Sequence, residues 1–244
     1  MVHMEVVQHY LNLDWAERMA VLVDNEAMSL HWTQKAVGIL VGVHIRHAHT
    51  SDDGVGHIDD APKLWKRHVF WITDVMDRGH QPVMSARYML WEYERKNGIT
   101  VLDWEEWSDG CAEQFRCMCG LMDFVEAIKK DSVRSVSKNF YCPYHGKTEG
   151  DGAGGWMKCT CQMASIHEDE YLPDAAHVYS FMNQQKYTEP KFSSYKSGNE
   201  KRTVNEKLYF LITQADVDKV AKLNGKTMKC GIKKTDRYKL RSKP

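Results

Sequence analysis

Only 6 of the 244 residues are proline, and no apolar run approaches the roughly 20 residues that a membrane-spanning helix needs. A membrane-embedded chain is therefore not expected. The opening residues, MVHMEVVQHY, lack the basic and apolar regions of a secretory signal. The seven cysteines are an odd number without a disulfide-framework spacing. These absences lead us to expect an intracellular protein of a reducing compartment with no membrane partner. Net charge is missing as well, because 33 Lys and Arg balance 33 Asp and Glu.

That balance conceals an asymmetry. From Lys186 onward, 16 basic residues stand against 6 acidic ones, whereas the preceding segment carries 17 basic and 27 acidic residues. An acidic body with a basic tail suggests nucleic-acid contact, with a solvated lysine-rich tail as the alternative. Aromatic residues interleave with the cations in KYTEPKFSSYK and KTDRYKLRSK. Rings can stack on bases while cations hold phosphates, which favours the nucleic-acid reading.

A chain of this length can bury one good core with a small appendage. VVQHYLNLD, from Val6 to Asp14, alternates apolar and polar residues and reads as a strand ending on an acid. VGILVGVHIR, from Val37 to Arg46, is a continuous apolar run suited to a strand covered on both faces. HVFWITD reads as a third strand, and the histidine-bearing loop before it receives no role. The period then turns helical from Val83 to Lys96, stopping at Asn97-Gly98. A strand ending at Asp109 follows, then a helix from about Cys111 to Lys130, a fifth strand in SVSKNFYCPY, and a third helix from near Asp151. The order βββαβαβα ends near Glu170. KLYFLI and TQADVDKVAKLNG read as a further strand and a short helix.

Asp14 ends the first strand, Asp109 ends the fourth, and Asp151 opens the last helix of that order. Neighbouring strand ends can bring such residues together. Magnesium engaged in phosphate chemistry takes one or two carboxylates and fills its shell with water and substrate oxygens. A pair of such ions serves the attacking and leaving oxygens.

The stretch HGKTEGDGAGGWMK, residues 145–158, holds five of the chain's 16 glycines. It is not a phosphate loop of the Gly-x-x-x-x-Gly-Lys-Ser/Thr type, because Tyr141 stands where the first glycine is required. A solvated turn is its bland alternative.

Together these residues carry a resemblance. The element order and its acids resemble the RNase H-like catalytic core of the DDE/DDD transposases and integrases. A more specific likeness is to a group of transposase-like proteins from animal genomes. Their pattern runs Asp-Phe-Ala-Glu-Asn, His-Trp, Ser-Asp-Gly-Cys and His-Gly-Lys-Gly-x-x-Asp-Gly-x-Gly-Gly-x-x-Lys-Arg. This chain reads Asp14-Trp15-Ala16-Glu17-Arg18, His31-Trp32, Ser108-Asp109-Gly110-Cys111 with Gln114 beyond, and HGKTEGDGAGGWMK. The likeness spans about residues 6 to 168. Trp15, Arg18, Thr148 and Cys159 depart from the pattern, and none of them removes a carboxylate.

The resemblance implies an α/β, RNase H-like fold: a mixed five-stranded sheet flanked by helices, with a small basic C-terminal extension. The expected division is a catalytic core over 1–170, a connecting segment over 171–203 and a basic unit over 204–244. Asp14, Asp109 and Asp151 would hold two Mg2+ or Mn2+ ions and direct in-line attack on a DNA phosphodiester. Water as nucleophile gives a nick, and a DNA 3′-OH gives strand transfer. Bulky side chains at Gly150, Gly152, Gly154 and Gly155 would hold the nucleic acid away from Asp151, and glycine permits close approach. The helix start and Lys147 favour a phosphate. His145 would orient a phosphate or a water molecule, and Lys158 completes the DNA-binding set. The implied partner is DNA, with the nucleus as location in a eukaryotic host and room for a homo-oligomer.

Competing readings remain at this level. Each aspartate has a capping or turn role as its bland alternative. Glu17, Asp24, Asp103, Glu106 and Glu149 are reserve carboxylates, and Glu168 is the chief rival for the third place. Cys142-x-x-His145 with Cys159-x-Cys161 offers four zinc donors, but cysteines two apart on a helix face different sides. His31-Trp32 is read as structural. The chain begins almost at its first catalytic strand, with no finger or helix-turn-helix before it. This suggests either a fragment or a target recognised by structure. A structure-selective nuclease of Holliday-junction or RNase H type is therefore the enzymatic alternative, and a domesticated, non-catalytic DNA-binding protein the other.

Overall fold

A computed structural model of the chain describes residues 8–16, 18–20, 36–47, 64–75, 79–111, 113–130, 133–142, 149–167, 170–189, 191–194 and 202–229. Eight strands and six helices follow in the order β1 (Gln8–Trp15), β2 (Met19–Ala20), β3 (Ala36–His47), β4 (Leu64–Thr73), α1 (His80–Lys96), β5 (Asp103–Ser108), α2 (Met118–Lys130), β6 (Ser135–Phe140), α3 (Glu149–His167), α4 (Ala175–Met182), α5 (Gln185–Thr188), β7 (Lys191–Ser194), β8 (Arg202–Ile212) and α6 (Gln214–Lys229).

The strands form one mixed sheet in the order β6-β5-β1-β3-β4-β8-β7, with the short β2 paired to β3. β1, β3 and β4 run antiparallel to their neighbours in that trio, while β5 and β6 continue parallel to β1. β8 lies parallel to β4, and β7 closes the edge antiparallel to β8. The central β3 buries Val37, Ile39, Leu40, Val41 and Val43, residues of both faces, because helices cover the sheet on each side. Gly42 leaves room for Trp71 on the neighbouring strand: a Cβ there would lie 2.8 Å from the indole.

Two cores result. On one face Leu11, Leu13, Leu40, Val69 and Trp71 pack with Leu90 and Trp91 of α1, Phe124 of α2 and Val217 of α6. On the other, Ile39, Val41, Phe70 and Ile72 pack with Met157 and Cys161 of α3 and Val178 and Phe181 of α4. The first core also encloses charge. Arg87 of α1 donates through Nε and Nη2 to the two carboxylate oxygens of Glu106, at 2.8 and 3.0 Å, and through Nη1 to Asp123 at 2.6 Å. All three side chains are buried, so they persist only as a mutually compensated set. A second set joins the buried Arg46, Arg67 and Glu94 with the partly exposed Glu206.

The sheet is larger than the five strands expected. β8 pairs with β4 along ten residues from Leu64↔Thr203 to Thr73↔Ile212, so the boundary expected at 203/204 falls inside a strand of the main sheet. Its second half, KLYFLI, is the strand expected from the sequence, whereas the polar RTVNE before it carries no strand pattern. α2 begins at Met118 rather than near Cys111, since residues 113–117 form turns. No helix among the described residues is long and apolar enough to cross a membrane.

Candidate active site at the carboxyl ends of two parallel strands

β1 and β5 are parallel neighbours, and their last register pair is Leu13 with Ser108. Asp14, the penultimate residue of β1, and Asp109, the first residue past β5, come next, so the two stand side by side at the same end of adjacent strands. A turn fixes Asp109, whose Oδ1 accepts a hydrogen bond from the Cys111 N–H at 3.1 Å. The third element crosses above them. Gly154 of α3 is buried, and a Cβ placed on it would lie 3.0 Å from the Ala16 Cβ and 3.3 Å from the Val41 Cγ2. The helix therefore rides directly on the chain that has just left β1, and Asp151 stands one turn before that contact.

Electrostatics agree with this placement. Burial pushes the Asp14 carboxyl up from 3.8 to about 6, and the charges of Asp151 and then Asp109 push in the same direction. Asp151 and Asp109 thus both lie within electrostatic reach of Asp14. Among the described residues, however, no three His, Cys, Asp or Glu side chains are already drawn together into a metal-ligating cluster. The donor set suits a hard cation in its chemistry, three carboxylates with oxygen ligands only, and any ligation would require the side chains to close further.

The reserve acids are engaged elsewhere. Asp103 accepts from Arg134 and Ser135, and Glu106 lies in the buried set with Arg87 and Lys138. Glu149 accepts from Lys66 Nζ and His68 Nε2, each at 2.8 Å. Glu17, Asp24 and Glu168 lie outside the described residues, as do His145, Lys147 and the pair His31-Trp32. Part of the basic tail, residues 190, 195–201 and 230–244, lies outside them too. For the zinc alternative, Cys161 is buried with its thiol pushed up to about 12, whereas Cys159 is exposed. The two cysteines face different surroundings and cannot share one ion as placed.

The glycines divide into two kinds. Gly150 and Gly154 are buried, and Gly154 serves the seating of α3 on the sheet instead of the approach of a ligand. Gly152 and Gly155 are exposed and would place a Cβ in open space. Lys158, half-buried, stands seven residues after Asp151 and so shares its flank of the helix.

One neighbour escaped the sequence reading. Tyr141, just past β6, hydrogen-bonds Tyr10 of β1 through the two hydroxyls at 3.5 Å. Its phenol is pushed up by burial, by Tyr10 and by the charge of Asp14. Its only sequence signal is its position one residue beyond a strand parallel to the one that delivers Asp109.

These elements define a three-layer α/β protein with acidic residues at the carboxyl edge of its central parallel strands. The chain belongs to the family described as a domain of unknown function (DUF8701), whose model matches residues 3–224. That span takes in the whole sheet, including β7 and β8. No curated protein and no solved structure matches the chain.

Proposed function

We propose that this protein is a divalent-metal-dependent nuclease of transposase type, which cleaves DNA phosphodiesters or transfers strands between them. The observation that carries the reading is the side-by-side position of Asp14 and Asp109 at the carboxyl ends of β1 and β5, with α3 seated beside them through Gly154 and carrying Asp151. The strand order supports it further. In β6-β5-β1-β3-β4, three strands alternate in direction and two more run parallel to the first, which is the arrangement expected of an RNase H-like core.

On this reading Asp14, Asp109 and Asp151 hold one or two Mg2+ or Mn2+ ions. When bound, such ions supply charge stabilisation at the attacking and leaving oxygens of an in-line displacement. The chain's own contribution is positioning. Adjacent strand ends fix two carboxylates, and the helix start fixes the third against a bare surface at Gly152 and Gly155. Lys158, on the same flank as Asp151, supplies a cation for a substrate phosphate. Burial raises the Asp14 carboxyl most and the charges of Asp151 and Asp109 add to it, and a bound cation would relieve that added repulsion.

The direct test is incubation of the full chain with linear, branched and RNA–DNA hybrid substrates, with and without Mg2+ or Mn2+. Metal-dependent cutting of DNA supports the proposal. Cutting confined to branched or hybrid substrates assigns a structure-selective nuclease, and binding with no cutting of any substrate assigns a DNA-binding protein that retains the fold.

A further inference from the structure

Across α3 from Asp151 lies a set of cations and rings that the three acids do not use. His68 on β4 is the register partner of Lys207 on β8, so the two side chains share one face of the sheet, and Lys66 shares it by strand alternation. This is the face on which α3 packs. Glu149 and Trp156 stand seven residues apart on α3 and project from one flank of it. Glu149 bridges Lys66 and His68, while the Lys207 ammonium lies 3.8 Å from the centre of the Trp156 ring. Trp156 packs in turn against Phe70 and, edge to face, Tyr187. Lys186 of α5 reaches to 4.8 Å from the Tyr187 ring. The result is a strip of cations running from the start of α3 to α5: Lys66 is held by Glu149, while Lys207 and Lys186 are braced on an indole and a phenol ring.

Between this strip and Asp151 the helix surface carries no side chain among the described residues. At 100° per residue, Gly155 and Gly152 fall on the outward sector between the flank of Asp151 and that of Glu149 and Trp156. Among the described residues, neither position meets anything within 4 Å of a built Cβ. Among the described residues, no side chain stands in the way of a phosphodiester backbone that crosses the helix start.

We propose that Lys66, Lys207 and Lys186 form the phosphate-binding track for the DNA strand that leads away from the three aspartates over Gly152 and Gly155. The proposal rests on the nuclease reading for the strand's destination. Resting a lysine on a ring limits its rotamers, which lowers the entropic cost of holding a phosphate. Glu149 occupies part of the track: it accepts from Lys66 and His68 in the free protein and yields when a phosphate arrives. Removal of its charge should therefore strengthen binding, whereas removal of the lysines should weaken it.

The test measures binding of the full-length protein to single-stranded and duplex DNA oligonucleotides across a salt series. The variants are the pair Lys186→Ala with Lys207→Met, Glu149→Gln alone, and Lys96→Ala and Glu92→Gln as exposed controls on α1, across the sheet. Methionine keeps the contact with Trp156 if loss of Lys207 disturbs packing, and Lys186 is exposed on its short helix. We expect the lysine pair to lower affinity about tenfold and to flatten the slope of log K against log salt by ~1.4 for a single strand, as two phosphate contacts require. Glu149→Gln should raise affinity, with neither control following. A larger loss on single-stranded than on duplex DNA assigns the track to an unpaired strand, and the reverse assigns it to the duplex. Lysine variants that match Lys96→Ala in affinity and slope overturn the track even if the wild type cuts DNA. Conversely, a wild type that never cuts, but whose binding falls with the lysine pair, leaves the track standing and removes the nuclease reading.

Discussion

Leu13 pairs with Ser108 at the last register position of two parallel strands, and this pairing sets Asp14 beside Asp109. Two anionic groups so placed, with Asp151 nearby, cannot be neutral in their effect on stability. The Asp14 carboxyl titrates at about 6 in the folded protein against an ordinary 3.8. The folded state therefore binds the Asp14 proton more tightly than the unfolded state does. Its stabilising contribution is complete below pH 3.8 and is lost as pH rises through about 6. At pH 7 the ionised group destabilises the metal-free protein. Asp14→Asn should raise stability there by on the order of 1 kcal/mol, once solvent screening of this half-buried group is allowed for. Thermal melts at pH 7 and pH 4 check this: the gain should be present at pH 7 and shrink at pH 4.

Added Mn2+ should stabilise the wild type at pH 7 in proportion to the logarithm of its concentration. The effect should fade as pH drops below about 6 and Asp14 takes up its proton. A melting temperature that Mn2+ leaves unmoved at neutral pH contradicts the shared cation.

The glycines of α3 separate packing from substrate approach. Gly154→Leu forces a side chain into Ala16 and Val41, and overpacking of this kind should cost about 1–3 kcal/mol. Gly155→Ala meets nothing and removes a helix-interior glycine, which should stabilise the fold by about 0.5–1 kcal/mol. If a strand crosses there, the same variant should nonetheless bind DNA more weakly. Melting and binding measured on one preparation reveal whether the two effects move in opposite directions.

Glu106 is a structural anion. Held down at about 2 by Arg87 and Lys138 despite its burial, it balances charge that has no access to water. Glu106→Gln should destabilise the protein by about 3–5 kcal/mol, and Mn2+ should offer it no special protection. Denaturant unfolding of this variant alongside Asp109→Asn distinguishes the two kinds of acid, since Asp109 is half-buried at a turn and its change should cost far less.

Much of the sheet was readable because its strands carry strong local signals. The β-branched run of β3 and the alternation of β1 each show in a few residues, and the acids at the ends of β1 and β5 follow from them. What the sequence hides is long-range. KLYFLI reads as a strand, but the RTVNE before it has no strand period, and the pairing of β8 along the whole of β4 leaves no local trace. Gly154 reads like its neighbours Gly152 and Gly155 in the sequence, yet it alone of the three faces Ala16 and Val41. Lys66 and Lys207, 141 residues apart in the chain, meet only through the β4–β8 pairing, so no spacing rule could have joined them.

The central claim is that three aspartates form one metal-dependent site, and Asp109→Asn tests it most directly. The amide keeps the side chain's size and removes an anionic ligand at the end of β5. Wild-type and Asp109→Asn protein should be compared for DNA binding and for Mn2+-dependent cleavage on the same preparations. The account predicts that binding persists or rises slightly, because a negative charge facing phosphates has gone, and that cleavage falls by at least about a hundredfold. Asp109→Asn protein that cuts DNA at the wild-type rate contradicts it.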